Sequence, residues 1–484
     1  MTSMEKRQNF IYHALPVVAL LVWGALCITN NLWYDEAYSA SMVSLPWKRL
    51  IYITAVDDHS PFYYFLLKLF YHLWGGGTHF FALKLMSLLF MMGFCLLGKY
   101  YVRALFNQRI SIYFMTFSIL MPIFSVQAGN VRMYAVALFF LTLTGLSALD
   151  IYRTDIADKG LRRKWIVFCI ASICTVYCHT FALIQTFLFY LLFLGALIAG
   201  KQKDKIKSFF KVGMIVSIVF SPWLLVTCRQ MLLRMRYDTG SVNDRATIYA
   251  FMDYCKEWFS ALETPIGPVV FLGMGLFVVL GYLAIDWMRA NHNYAPAVGV
   301  GAFLLTGIVG ALISVYVNNC FLGRYAFPGM GFVMLMYAVG LEQVHAKKGR
   351  LGILTVALLC FVLQYTSELK LEYDKGLKVY EQFWEEQVTE EDVMIGPYTH
   401  TIFLNVYHPE IQYYIEGYKL YSLPFVNTEA LTDYQQLQDV TGNIWYVCFQ
   451  GDEPENMAEE FSYEEAVSFH YMYYDFVIYK LQRK

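Results

Sequence analysis

Charge is scarce in this chain of 484 residues: only 15% are Asp, Glu, Lys or Arg. Soluble domains carry about 25%. That shortfall, beside 58% hydrophobic residues, excludes a string of two or three soluble domains, which the length alone would allow. No Cys-x-x-Cys occurs among the ten cysteines, and most of them sit inside apolar runs (Cys27, Cys95, Cys169, Cys174, Cys178, Cys360). A zinc-type cluster is therefore excluded, and the cysteines read as small core residues. No small-residue cleavage site follows the first apolar run, which reads as a retained span and not a removed signal. No internal repeat is present. The net charge of −1 names no partner by itself, and nucleic acid is not among those expected.

What is abundant is apolar sequence in long runs. Runs of ~20 residues span a bilayer as helices, because only helices and closed barrels satisfy every backbone group in lipid. The expected fold is a polytopic α-helical membrane protein of about eleven spans. They are placed at 10–28, 79–98, 110–126, 133–149, two within 165–199, 212–228, 268–288, 295–317, 324–341 and 351–365. Lys6 and Arg7 flank the first span, and basic flanks mark the cytoplasmic side. The N-terminus is thus expected inside. Asp35 and Glu36 then fall outside, in a large first extracytoplasmic loop over 31–78. A turn around Gln127–Asn130 is expected to join the third and fourth spans. A polar outer loop from Arg229 to Thr264 carries Arg229, Arg234, Arg236 and Arg245 on the face where basic residues are uncommon, which an anionic ligand would explain.

Within the first loop, Ser44-Leu45-Pro46 reads as a helix start. Trp47, Leu50, Ile51 and Thr54 share one face of that helix and Lys48 and Arg49 the other, the pattern of a helix in the membrane interface. After Ser367 the chain turns polar, acidic and rich in Tyr. Val393–Ile395, Ile444–Val447 and Tyr473–Lys480 read as strands and Glu453–Phe461 as a helix. The expected domains are 1–366, spanning the membrane, and 367–484, a small extracytoplasmic α/β domain without a metal or phosphate-loop motif.

Two acidic clusters bracket the first loop. Asp35-Glu36, flanked by Trp33, Tyr34 and Tyr38, is either a solvated helix end or a site; carboxylates at a membrane edge favour the site. A carboxylate in a partly desolvated outer pocket suits a general base. Asp57-Asp58-His59 reads equally as an exposed loop and as half of a site for a divalent ion, since carboxylates and imidazole suit one. Arg132 with Tyr134, and Arg324 with Tyr325, stand at the outer ends of two spans. Each arginine either snorkels to the headgroups or binds phosphate in a bidentate fork. His179 reads as a satisfied core histidine in mid-membrane.

Asp35-Glu36, Asp58-His59-Ser60-Pro61-Phe62-Tyr63-Tyr64, Arg132-Met133-Tyr134 and Gly323-Arg324-Tyr325 together resemble the C-type membrane glycosyltransferases. Among these the similarity is to the bacterial protein O-mannosyltransferase and aminoarabinose transferase branch, over roughly Phe10 to Leu341. Ser60 and Phe62 depart from the proline and leucine of the family pattern. The resemblance implies a polyprenyl-phosphate sugar as donor and an extracytoplasmic acceptor, which could be protein, glycolipid or wall polymer, at the cell membrane. It implies Asp35 as base with Glu36 in support. Arg132, Tyr134, Arg324 and Tyr325 would hold the donor phosphate, and Asp58, His59, Tyr63 and Tyr64 the sugar or acceptor pocket. The resemblance fixes no cofactor, and Asp58 and His59 permit a divalent metal ion without demanding one. The competing class is a lipid-linked sugar flippase or transporter, but such proteins place their charges near the midplane in paired halves.

Overall fold

The computed structural model describes residues 3–57, 59–77, 79–237, 248–260, 265–316, 321–416 and 425–484. In chain order the first helices are α1 (Ser3–Gly24), α2 (Tyr34–Ser44), α3 (Trp47–Val56), α4 (Pro61–Leu73) and α5 (Phe81–Leu96). A π turn carries α5 into α6 (Arg103–Leu105). Next come α7 (Gln108–Leu120), α8 (Pro122–Gly129), α9 (Tyr134–Arg153), α10 (Leu161–Val176), α11 (Thr180–Ala199), α12 (Lys203–Tyr237) and α13 (Ile248–Phe259). Then follow α14 (Gly267–Asn291), α15 (Ala295–Tyr316), a 3-10 turn over Gly323–Gly329, α16 (Met330–Gln343), α17 (Lys347–Glu372) and α18 (Gly376–Gln387). The last part holds β1 (Val393–Pro397), α19 (Tyr398–Asn405), β2 (Gln412–Glu416), β3 (Thr428–Leu431), β4 (Ile444–Phe449), β5 (Phe461–Tyr471) and β6 (Tyr474–Arg483).

Among the described residues eight helical segments are long and apolar enough to cross a membrane, or nine if the bent pair α7–α8 is one span. The eleven expected spans also included α1 and the 16-residue α10, which fall outside that set. The straight span expected over 110–126 is broken. Met121 precedes Pro122 and is held extended (φ −82°, ψ 116°), as a residue before proline must be. The two helices consequently meet at 69°. Gln127 lies inside α8, so the turn starts at Asn130. The outer loop expected from Arg229 is also largely helix. No Gly or Pro stands between Trp223 and Tyr237 to stop α12, and α13 follows. Arg245 lies outside the described residues.

The chain divides into two compact units. The first comprises residues 1–27, 58–63 and 85–368. Its centre is α9 and α16, which are apolar all round and buried nearly throughout, as an inner helix must be. α14 packs along α16 at a glycine: a Cβ at Gly340 would lie 2.3 Å from the carbonyl oxygen of Leu280. Without a side chain there, the two backbones approach closely, as small residues allow in membrane helices.

The second unit comprises residues 28–57, 64–84 and 369–484. Its sheet runs β3-β2-β1-β4-β6-β5. The first four strands are parallel, and β4-β6 and β6-β5 are antiparallel. Alternate residues Val393, Ile395, Ile444, Tyr446, Val477 and Tyr479 fill one core, as the period of two demands. α19 crosses between β1 and β2 and packs on α2. The strands expected near 393, 444 and 473 are present. The helix expected at Glu453–Phe461 is not: a 3-10 turn covers Glu455–Met457, and Phe461 opens β5 with 1% of its surface exposed. Burial of Phe461 in the sheet outweighs the helix propensity of its neighbours. α3 starts at Trp47 with Pro46 at its N-cap; Ser44, expected as the cap, is instead the last residue of α2. The expected apolar face divides, Trp47, Ile51 and Tyr52 lying exposed beside Lys48 and Arg49 while Leu50, Ile53 and Thr54 face inward. Its outer face is apolar and basic, as an interfacial helix requires.

Candidate active site

The expected site residues are divided between the two units. In the first unit the sequence begins helices just after His59, Arg132 and His179. α4 starts at Pro61, two residues after His59; α9 starts at Tyr134, two after Arg132; α11 starts at Thr180, one after His179. Arg324 is the second residue of the 3-10 turn ahead of α16. These starts meet. Arg132 Nη2 lies 3.3 Å from His59 Nε2. The backbone N–H of Phe62 donates to the carbonyl of Tyr177 at 3.3 Å, tying α4 to the end of α10. The ring of His179 sits 4.8 Å from that of Tyr325 and 6.0 Å from that of Tyr134. His59, Arg132 and Arg324 all act electrostatically on His179.

The cluster therefore joins two guanidiniums and two imidazoles at converging helix N-termini, whose partial positive charge adds to theirs. Helix N-termini and arginine forks are the common means of holding phosphate oxygens. Arg132 is nearly buried, at 7% exposure, and Tyr134 wholly so. The arginine turn is braced from α13. Glu257 Oε2 accepts from the N–H of Arg324 at 2.5 Å, and the indole of Trp258 donates to the carbonyl of Gly323 at 2.7 Å.

His179 is buried and hydrogen-bonded between α10 and α11, as the sequence reading of a satisfied histidine between the fifth and sixth spans expected. What that reading did not assign is its capping role, in which Nδ1 accepts from the N–H of Phe181 at 3.2 Å at the start of α11. The available signal was a polar His-Thr pair directly ahead of a long apolar run, the place for a cap.

In the second unit Asp35 and Glu36 occupy the first turn of α2, where carboxylates complement the helix dipole. Their roles diverge. Glu36 is buried, and its Oε2 accepts from the N–H of Trp33 at 3.1 Å, closing the helix start. Asp35 is half-buried, and its carbonyl accepts from Ser39 Oγ. Tyr38, one helical turn on, donates to Asp57 Oδ2. Burial first, then the charge of Asp57, holds the Tyr38 phenol well above its ordinary range, and Tyr64 and Tyr398 act in the same direction. Tyr63, in the first unit, and Tyr64, in the second, are both fully buried. Asp58 lies outside the described residues.

A divalent ion does not fit the described residues here. No three His, Cys, Asp or Glu side chains among them form a group that could hold one. His59, the expected ligand, turns Nε2 to the guanidinium of Arg132, which would repel a cation at that nitrogen.

Neither a protein-family model nor a curated protein sequence matches the chain. Solved structures do. The fold is that of ArnT from Cupriavidus metallidurans. ArnT from Cupriavidus metallidurans in the apo state aligns with a TM-score of 0.66 at 14% identity, over 98% of this chain and 98% of that one. ArnT bound to undecaprenyl phosphate gives 0.66 at 14%, over 96% and 97%. The oligosaccharyltransferase AglB of Archaeoglobus fulgidus, in complex with an inhibitory peptide and a dolichol-phosphate, aligns at 0.48 and 11%, over 82% and 63%.

Proposed function

We propose that the chain is a membrane glycosyltransferase. It takes a sugar from a polyprenyl-phosphate donor and passes it to an acceptor on the extracytoplasmic face. The N-terminus is cytoplasmic, and the C-terminal domain, 367–484, lies outside. The observation that carries this reading is the Arg132–His59–His179–Arg324 cluster at converging helix starts. It stands in a fold shared with a protein solved with undecaprenyl phosphate bound.

The donor phosphate binds to the cluster through the forks of Arg132 and Arg324, with Tyr134 and Tyr325 beside them. Asp35 takes the proton of the acceptor O–H or N–H. The freed lone pair attacks the anomeric carbon, and the bond from that carbon to the phosphate oxygen breaks with inversion. The departing oxygen keeps the bonding pair, and the arginines stabilise its charge. A phosphate leaving group of low basicity needs no strong general acid. Glu36 supports the base through the helix start it closes. Asp58, His59, Tyr63 and Tyr64 shape the sugar or acceptor pocket.

Incubating the purified protein with labelled undecaprenyl-phosphate sugars, the mannosyl and aminoarabinosyl forms among them, tests the proposal. A transferase releases free lipid phosphate in the presence of acceptor; a flippase moves the intact donor. Asp35→Asn should lower release by at least about 100-fold, the usual contribution of a positioned base. Full activity in that variant would remove Asp35 from the role.

A further inference from the structure

We infer that Tyr407 and Tyr471, from the C-terminal part of the chain, are positioning residues for Asp35. The inference rests on the reading of Asp35 as the base.

The segment Thr29–Trp33, which leads into α2, belongs to no helix or strand. Such a segment fixes nothing by itself, since each of its residues is free to leave its backbone angles. Here four successive residues are tied. Thr29 Oγ1 donates to Glu372 Oε2 at 2.8 Å. Asn30 Oδ1 accepts from the N–H of Phe80 at 3.0 Å. Asn31 Nδ2 donates to the carbonyls of Glu372 and Asp374 at 3.1 and 2.9 Å. Leu32 carries the tightest set. Its N–H donates to the phenol oxygens of Tyr407 and Tyr471 at 3.1 and 2.9 Å, and its carbonyl accepts from Tyr471 at 3.0 Å. Tyr407 also donates to the carbonyl of Asn30 at 2.9 Å, and the two phenols lie 2.7 Å apart.

The pair is dry: Leu32 and Tyr471 have no exposed surface, and Tyr407 has 5%. Burial first, then each phenol's effect on the other and the charge of Glu36, raises Tyr407 well above its ordinary range. Burial and the Glu36 charge also raise Tyr471, against the lowering effect of its hydrogen bonds. Both therefore remain protonated donors at any working pH. Hydrogen bonds in so dry a place are costly to leave unmade, so the backbone of 30–32 has one low-energy path. Trp33 follows immediately, and Asp35 lies inside the turn that Glu36 closes back onto Trp33. Tyr34 packs its ring 5.8 Å from Phe403 of α19, which repeats the alignment one residue before Asp35. A displacement of about 1 Å at a catalytic group is enough to lower a rate 100-fold.

The test compares Tyr407→Phe, Tyr471→Phe and the double variant with wild type in the full-length protein. Undecaprenyl-phosphate mannose serves as donor probe, with release of undecaprenyl phosphate as readout. Loss of the hydroxyls should lower kcat about 10- to 100-fold in the double variant and leave KM for the donor within about twofold. The acid limb of the pH–rate profile, which reports the base, should move. Hydrogen exchange should rise over residues 29–36 and stay unchanged over β1 and β4. A merely structural role would lower the amount of active protein and leave that limb in place. Asp35→Asn runs alongside. If it is inactive while the double variant keeps wild-type kcat and wild-type exchange, the positioning role falls and the base stands. If Asp35→Asn keeps full activity, both fall.

Discussion

Arg132 Nη2 and His59 Nε2 lie 3.3 Å apart and come from positions 73 residues apart in the chain. A guanidinium only donates, so the imidazole accepts at Nε2 and carries its proton at Nδ1. The contact steers the arginine at one edge.

Arg132→Lys should therefore do more harm than a conservative change suggests. A lysine offers a point charge and cannot meet His59 and grip two phosphate oxygens in one plane. A charge-assisted hydrogen bond contributes about 1.5–3 kcal/mol, so release of lipid phosphate should fall roughly 10- to 100-fold. Arg324→Gln should act in the same direction. Measured with undecaprenyl-phosphate mannose, unchanged kcat and KM in both variants would remove the arginines from the phosphate.

Lys84 has a wholly buried side chain and pairs with Glu372 at 2.6 Å. Lys84→Met leaves that carboxylate without its charge partner in a poorly solvated place. The expected loss is about 3–5 kcal/mol. The double variant Lys84→Met/Glu372→Leu should recover most of it, because replacing both members removes the uncompensated charge. Thermal unfolding of the two variants in detergent decides; equal losses in both would mean that packing and not charge is responsible.

Asp392 sits under the sheet. Burial alone would raise its carboxyl, but donors from Trp445, Asn443 and Thr389 outweigh it and hold the group below the usual range. A depressed folded value stabilises the fold above the unfolded value of about 3.9 and loses that contribution as pH falls through the folded one. Acid should loosen the domain around Trp445 below about pH 4. Asp392→Asn should destabilise it at neutral pH by about 1–3 kcal/mol and flatten the acid dependence. Trp445 accepts no other constraint so directly, its indole N–H donating to Asp392 at 2.8 Å, and its fluorescence follows the change.

Gly340→Ala should weaken the α14–α16 contact, since the new Cβ meets the backbone oxygen of Leu280, which cannot rotate away. Overpacking of this kind costs about 1–3 kcal/mol. A thermal midpoint equal to wild type would show that the two helices separate freely.

Much of the fold was legible because lipid makes strict demands. Long apolar runs had to be helices, and Val393–Ile395 and Ile444–Val447 had to be inner strands. What escaped the reading depended on single residues or on distant ones. Pro122 interrupts an apolar run without changing its hydropathy, so the 69° bend was hidden in plain composition. His179 was read as a satisfied, buried histidine between two spans, which it is, but its cap on α11 went unread because its neighbours are apolar. Phe461 joins a strand for the sake of β6, a partner that local propensity does not see. In the site, Asp35, Arg132 and Arg324 were visible as charges out of place. Tyr407 and Tyr471 were not, because a tyrosine in a domain of many tyrosines carries no mark of the backbone it will hold.

Leu32 and Tyr471 are separated by 439 positions. A ribosome adding ~5–20 residues per second needs on the order of tens of seconds to cover that distance. Shortly before that interval closes, the acidic pair, both arginines, Tyr407 and every described spanning helix have been made, and Tyr471 has not. A chain truncated ahead of Tyr471 would carry the full inventory of reactive groups with the approach to Asp35 unsecured. Translation itself thus acts as a timer, and the anchoring of the first loop waits for Tyr471.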